Sequence, residues 1–403
     1  PPLDWRTKGL PPRAEGLSAE EIGALGLSLL EGDLLLPAAL IREEALRHNI
    51  AAMQAFADAN DAHLCPHGKT SMSPELFAMQ IAAGAWGLTA ATAHHVRIYA
   101  RLGVPRIFLA NQLATELEID AVLSATAAKQ IPFYCLVDSA EGAARLAARA
   151  SAAAPVQVLI ETGVGGGRAG VRSEEQALAL ARQVAAMPGL ALRGVEAFEG
   201  VRQTSADARA GADGMLGLAV ASAGAVAAEG LFAEGPVLLS AGGSAFLDLV
   251  AAQLPSELAG RPVERVIRPG CYVTHDHGLY AGLTRAPQLR PALEVWGAVL
   301  SLPEPGRAIV GVGKRDVSSD AGPPLPLWHH RPGGAGTPRR VERLEVAGLW
   351  DQHVALAGDT RDLAIGDLVG FGISHPCATF DRWRALFLVD EERRVTGAVT
   401  TLF

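Results

Sequence analysis

Eight short apolar segments, alternating with stretches of helical periodicity, constrain this chain more than any other feature. They span residues 62–66, 87–90, 106–110, 133–138, 156–161, 191–197, 236–241 and 264–269. Most are near-continuously apolar, which suits strands buried on both faces rather than strands with one wet side. Helix-start signals fall between them: Ser73-Pro74 as N-cap and first helical residue, Thr92, Ser139, and a capping box from Ser173 to Gln176. Such alternation requires a parallel sheet covered by helices. Eight units predict a (β/α)8 TIM-type barrel.

After Gly270 the pattern changes to alternating strands at 292–301, 307–313, 340–347, 352–356, 366–374, 384–389 and 394–401, with few helices. This predicts an antiparallel β domain over 271–403, a barrel over 34–270, and an N-terminal arm over 1–33 that packs with the β domain. Gly322 to Arg340, rich in Pro and Gly, reads as a loop.

The net charge of -8 over 403 residues, with no Lys/Arg run, argues against nucleic acid and for a small-molecule ligand. The N-terminus lacks the apolar core of a secretory signal, and the apolar run Leu216 to Ala228 is too short to span a bilayer. Cys65, Cys135, Cys271 and Cys377 are widely spaced, as expected of reduced cytoplasmic thiols rather than a disulfide framework.

In a (β/α)8 barrel, chemistry lies at the C-terminal ends of the strands. Lys69, in Pro66-His67-Gly68-Lys69-Thr70, follows the first strand and reads as a Schiff-base lysine, although most lysines are surface charges. Arg168 follows the fifth strand in a glycine-rich loop and could lie over the mouth as a fixed cation; a surface arginine is the bland reading. Ser240, Gly242, Gly243 and Ser244 follow the seventh strand and could hold a phosphate, or simply form a tight turn. Tyr272, after the eighth strand in Arg268-Pro269-Gly270-Cys271-Tyr272, could reach that phosphate. His375 and Cys377 taken alone read as a core histidine and a buried thiol. Two apart on an extended segment, they could also offer zinc an imidazole and a thiolate.

In that order and at those intervals, these motifs resemble the fold-type III pyridoxal phosphate enzymes, the alanine racemase-like barrels with a C-terminal β domain, from about residue 34 onward. The nearest resemblance is to the D-serine dehydratase and D-threonine aldolase branch. It implies that Lys69 carries pyridoxal 5'-phosphate, that Arg168 partners its phenolic oxygen, and that Ser240 to Ser244 with Tyr272 bind its phosphate. It further implies that His375 and Cys377 hold a divalent metal, zinc or manganese, and that the protein is a homodimer whose active sites lie at the interface. Phe198, standing where the branch usually offers a tyrosine, and Lys314-Arg315 depart from the pattern.

The expected activity is elimination of water and ammonia from a D-3-hydroxy amino acid to give a 2-keto acid. Retro-aldol cleavage to glycine and an aldehyde is the alternative. A non-catalytic pyridoxal phosphate-binding protein is a third reading, from another class.

Overall fold

The computed structural model describes residues 2–198, 207–282, 285–334 and 336–403. A first strand, β1 (Ala38–Arg42), and helix α1 (Glu43–Ala59) lead into the barrel. There follow β2 (Ala62–Leu64), α2 (Pro74–Ala82), β3 (Leu88–Ala90), α3 (Ala93–Leu102), β4 (Ile107–Leu109), α4 (Glu116–Ala127), β5 (Phe133–Val137) and α5 (Ala140–Arg149). Then come β6 (Val156–Thr162), α6 (Glu174–Ala185), β7 (Leu190–Ala197), α7 (Ala208–Ala228), β8 (Val237–Ala241), α8 (Leu247–Gln253), the two-residue β9 (Glu257–Leu258) and β10 (Arg261–Ile267).

The strands β3 to β8, then β10 and β2, lie side by side, all parallel. The two ends of this sheet meet through a parallel bridge between His67 and Thr89 and the backbone bonds Trp86 N–H to Leu64 O (2.7 Å) and Thr89 N–H to Pro66 O (2.8 Å). The ring therefore closes two residues before Lys69. The local signals act as their chemistry requires. Ser73, Thr92, Ser139 and Ser173 each accept the N–H three residues on, as does Thr115. In the capping box, the Gln176 side chain returns to the Arg172 N–H at 2.8 Å.

Helix α7 is longer than the apolar run suggests. Its 21 residues make it long and apolar enough to cross a membrane by length and composition. One side of it, with Leu216, Ala219, Ala223 and Val226, is buried in the barrel's core.

The second sheet is built from distant segments: β11 (Leu293–Glu304), β12 (Arg307–Val310), β13 (Leu325–His330), β14 (Arg339–Arg340), β15 (Leu344–Leu349), β16 (Val354–Gly358) and β17 (Leu368–Gly372). After the short helix α9 (Cys377–Phe380) it is completed by β18 (Ala385–Val389) and β19 (Val395–Thr400). Two details differ from the sequence reading. Strand β13 lies inside the predicted loop 322–340. Its apolar side chains are broken by Pro326 and by two histidines, but its backbone pairs with β17. Strand β1, assigned above to the barrel, instead pairs antiparallel with β11 and parallel with β18. Ala38, Ala39, Leu40 and Ile41 are fully buried. A central strand of this kind is apolar on both faces and so reads like a barrel strand. The arm packs on the same sheet, with Leu3, Leu10, Ile22, Leu27 and Leu29 against Trp296, Phe387 and Val395.

Candidate active site at the barrel mouth

Lys69 lies on a 3-10 turn, Gly68–Thr70, at the end of β2. A side chain at Gly68 would collide with the Tyr99 hydroxyl, so glycine lets the turn sit against the buried Tyr99 ring. Among the described residues, Lys69 Nζ enters no hydrogen bond or ion pair. Two imidazoles register its charge. Burial, then Lys69 and Arg268, push His67 well below the usual histidine range. Burial, then His94 and Lys69, lower His95 to about 4. Both rings are therefore neutral at pH 7, and His67 Nδ1 is buried without a partner. No local sequence signal marks either histidine, because their neutrality comes from burial.

Behind this turn lies a buried polar group that sequence reading did not assign. The Arg268 guanidinium pairs with Glu196, donates to Ser240 Oγ at 2.7 Å, and stands 4.9 Å from the centre of the Phe108 ring. Ser240 in turn donates to Val266 O at 3.1 Å. Ser240 is thus fully buried, its hydroxyl bridging Arg268 and Val266. Gly242, at φ +97°, turns the chain out of β8. Ser244 Oγ accepts from the Gly270 and Cys271 amides at 3.3 and 3.2 Å, tying the loop after β8 to the one after β10. The helix beyond, α8, has seven residues.

Arg168 is exposed, with its guanidinium 4.6 Å from the centre of the Phe198 ring. It shares this corner with Glu161, whose carboxyl is raised by burial against a 2.5 Å hydrogen bond from Gln112. Phe198, which lacks the hydroxyl of a tyrosine, stacks on the arginine instead. Tyr272 is buried, and its hydroxyl accepts from Gln80 Nε2 at 2.9 Å. That bond, with a partner on α2, uses the hydroxyl as an acceptor and leaves its own proton to donate.

His375 and Cys377 meet this mouth from the tail. Cys377 Sγ lies 3.3 Å from Thr70 Oγ1, next in the chain to Lys69, and 3.3 Å from Cys271 Sγ. The ligand atoms of Cys271, His375 and Cys377 all lie within 4.8 Å of one another. His375 Nδ1 is 2.6 Å from Asp320 Oδ2. Burial pulls His375 down, but the neighbouring Cys377, then Asp320, outweigh it and hold the imidazole at about 9. The Cys271 contact and the imidazolium beside it draw the Cys377 thiol down, while that contact and burial push Cys271 up. The donor set, one imidazole with soft sulfur, fits a borderline divalent ion. Cys271 was legible as a residue but not as a partner of Cys377, because 106 positions separate them.

The fold and this mouth define a (β/α)8 barrel with an unpaired lysine at a strand end and a thiol–imidazole cluster beside it. The comparisons place it further. Residues 41–246, more than half of the chain, match the alanine racemase N-terminal domain, and residues 292–389 match the putative serine dehydratase domain. The chain belongs to the alanine racemase N-terminal domain family, of the fold-type III pyridoxal phosphate group, with the dehydratase-type domain at its tail. It is 27% identical over 280 residues to a D-threonine aldolase of Arthrobacter sp, covering 68% of this chain and 71% of that protein. The solved D-threo-3-hydroxyaspartate dehydratase from Delftia sp. HT23 superposes with a TM-score of 0.74 at 26% identity, over 93% of this chain and 99% of that one. A D-threo-3-hydroxyaspartate dehydratase variant with a cysteine replaced by alanine, solved in the metal-free form, gives 0.76 at 26% identity over the same shares.

Proposed function

We propose that this chain is a pyridoxal phosphate- and metal-dependent lyase that eliminates water from a D-3-hydroxy amino acid, the enamine so formed taking up water again on hydrolysis to leave a 2-keto acid and ammonia. The observation that carries it is the contact between the two halves of the site. Cys377, beside His375, touches Thr70, the neighbour of the unpaired Lys69. A cofactor-bearing amine and a metal-ligating pair thus lie within one small mouth of a single chain.

The residues fit both groups. Among the described residues Lys69 Nζ has no competing partner, and Gly242 and Gly243 open the loop after β8 with two positions that lack side chains. Imidazole with thiolate suits zinc better than manganese. When bound, pyridoxal phosphate supplies an aldehyde and an electron-withdrawing ring, and a divalent ion supplies Lewis acidity to a departing oxygen. Lys69 Nζ would hold the cofactor and would serve as the base for the Cα proton on one face of the substrate, which would select one enantiomer. Arg168, from the loop after β6, provides the cation for a phenolate oxygen, steadied by its stack on Phe198. The phosphate would fall to the loop after β8, Ser240 to Ser244, with Tyr272 beside it, as the family resemblance implies. His67 and His95, neutral at the mouth, add no positive charge to compete with Lys69. His375 and Cys377 hold the ion, with Asp320 orienting the imidazole.

Retro-aldol cleavage is the second reading, favoured by the likeness to the Arthrobacter aldolase. The protein, loaded with pyridoxal phosphate and zinc, is incubated with D-serine, D-threonine and D-threo-3-hydroxyaspartate. Keto acid with ammonia is the expected result. Glycine with an aldehyde would replace the first reading by the second, and no product from any substrate would leave a cofactor-binding protein without turnover. We place the protein in the cytoplasm, in keeping with its free cysteines, and as a homodimer, following the family resemblance.

A further inference from the structure

We propose that Cys271 is a third protein ligand of the metal, making the site Cys2His rather than a histidine–cysteine pair. This rests on the reading above that a divalent ion sits at His375 and Cys377. What it adds comes from the other side of the mouth. Cys271 opens the 3-10 turn Cys271–Val273 after β10, so its thiol is supplied by the barrel side, while His375 and Cys377 come from the tail. Its backbone is held in place by the bond from its amide to Ser244 Oγ at 3.2 Å. Its sulfur, nearly fully buried, faces Cys377 Sγ at 3.3 Å, and the three ligand atoms lie within 4.8 Å of one another.

These separations suit ligands around one ion. Tetrahedral zinc with sulfur at about 2.3 Å places two thiolates about 3.7 Å apart. The two sulfurs need only part by a few tenths of an ångström, whereas a disulfide would require them at about 2.05 Å. Asp320 engages His375 Nδ1, which leaves Nε2 for the ion and orients the ring, as carboxylates do for ligating imidazoles.

The third ligand has two consequences. Two sulfurs bias the site towards zinc or cobalt and away from manganese and magnesium, which prefer oxygen. Three protein ligands on a tetrahedral ion leave one open position, so a substrate would coordinate through a single oxygen, where a two-ligand site would leave room for two. The ion would also clasp the barrel to the tail within one chain.

The test loads the full-length holoenzyme with cobalt(II) and reads the sulfur-to-cobalt charge-transfer band alongside zinc affinity, measured by competition with a chromophoric chelator. Cys271→Ser is expected to halve the band and weaken zinc at least about 100-fold. A Cys271→Ser protein with full band and unchanged affinity would overturn the proposal while leaving the His375/Cys377 reading intact. That reading is checked separately by Cys377→Ser, which should also lose half the band. A wild-type protein that shows no band at all would remove both. Should Cys271→Ser fail to fold by circular dichroism, zinc-edge X-ray absorption of the wild-type protein decides the matter: two sulfur neighbours per zinc support the ligand, and one overturns it.

Discussion

The barrel and the tail sheet each bury one glutamate against one arginine, and the two pairs serve different ends. In the tail, Glu294 receives Arg393 through two bonds at 3.0 and 3.1 Å, and the indole N–H groups of Trp296 and Trp328 at 2.9 and 3.2 Å. Arg42 stands 3.7 Å away. The hydrogen-bond donors come from β11, β13 and the β18–β19 turn, so this carboxylate ties together segments remote in sequence. In the barrel, Glu196 and Arg268 join β7 to the end of β10, and the arginine's charge reaches Cys65, His67 and Glu161 around the site. A buried ion pair need not announce function. Its position relative to the strand ends separates a fastener from a part of the site.

The largest effect expected bears on the barrel side. Lys69→Ala should lower turnover by roughly a thousandfold or more, and borohydride should no longer fix cofactor to the chain. A variant that stayed fully active would break the contrast at its root. Next come the two arginines. Arg268→Met removes the buried cation beside Glu196 and should cost about 3–5 kcal/mol in urea unfolding, whereas Arg393→Met leaves Glu294 with Arg42 and two indoles and should cost less. The contrast sharpens if Arg268→Met also weakens cofactor binding while Arg393→Met leaves it alone. Equal loss of cofactor from both would erase it.

A smaller effect follows from pH. His95, His275 and His277 are each lowered to about 4, chiefly by burial, against about 6.5 when unfolded. The folded state favours their neutral form. Their contribution is therefore complete above pH 6.5 and drains away as pH falls towards 4. Asp276, raised to about 6 by burial, acts in the opposite sense: its contribution is present at low pH and is lost as pH rises through 6. Four lowered histidines, His67 included, set against the raised Asp276, Glu161 and His375, predict lower unfolding free energy at pH 5 than at pH 7, and His277→Gln should flatten that slope. The smallest effect is local to the barrel. Ser139→Ala removes the cap on the Gly142 N–H and should cost about 1 kcal/mol, with turnover unchanged.

The legible parts were those whose signals are short in range. Eight apolar runs, the caps at Ser73, Thr92, Ser139 and Ser173, and the glycine-rich turns state their structure within a few residues. Where pairing is remote, the reading failed or stayed silent. Strand β13 needed β17 to become a strand, and β1 passed for part of the barrel because burial on both faces looks alike in either sheet. The bond that Gln80 donates to the Tyr272 hydroxyl, across 192 positions, was not legible either.

The chain's order of residues by itself determined the barrel, its tail sheet, and the lysine at a strand end, because hydrophobic periodicity and turn chemistry are local properties. Only the tertiary structure decided that Cys271 faces Cys377, that Arg268 finds Glu196, and that His67 is neutral. Those outcomes depend on distance and burial, which exist only once the ring has closed at Thr89 and the tail has folded against it.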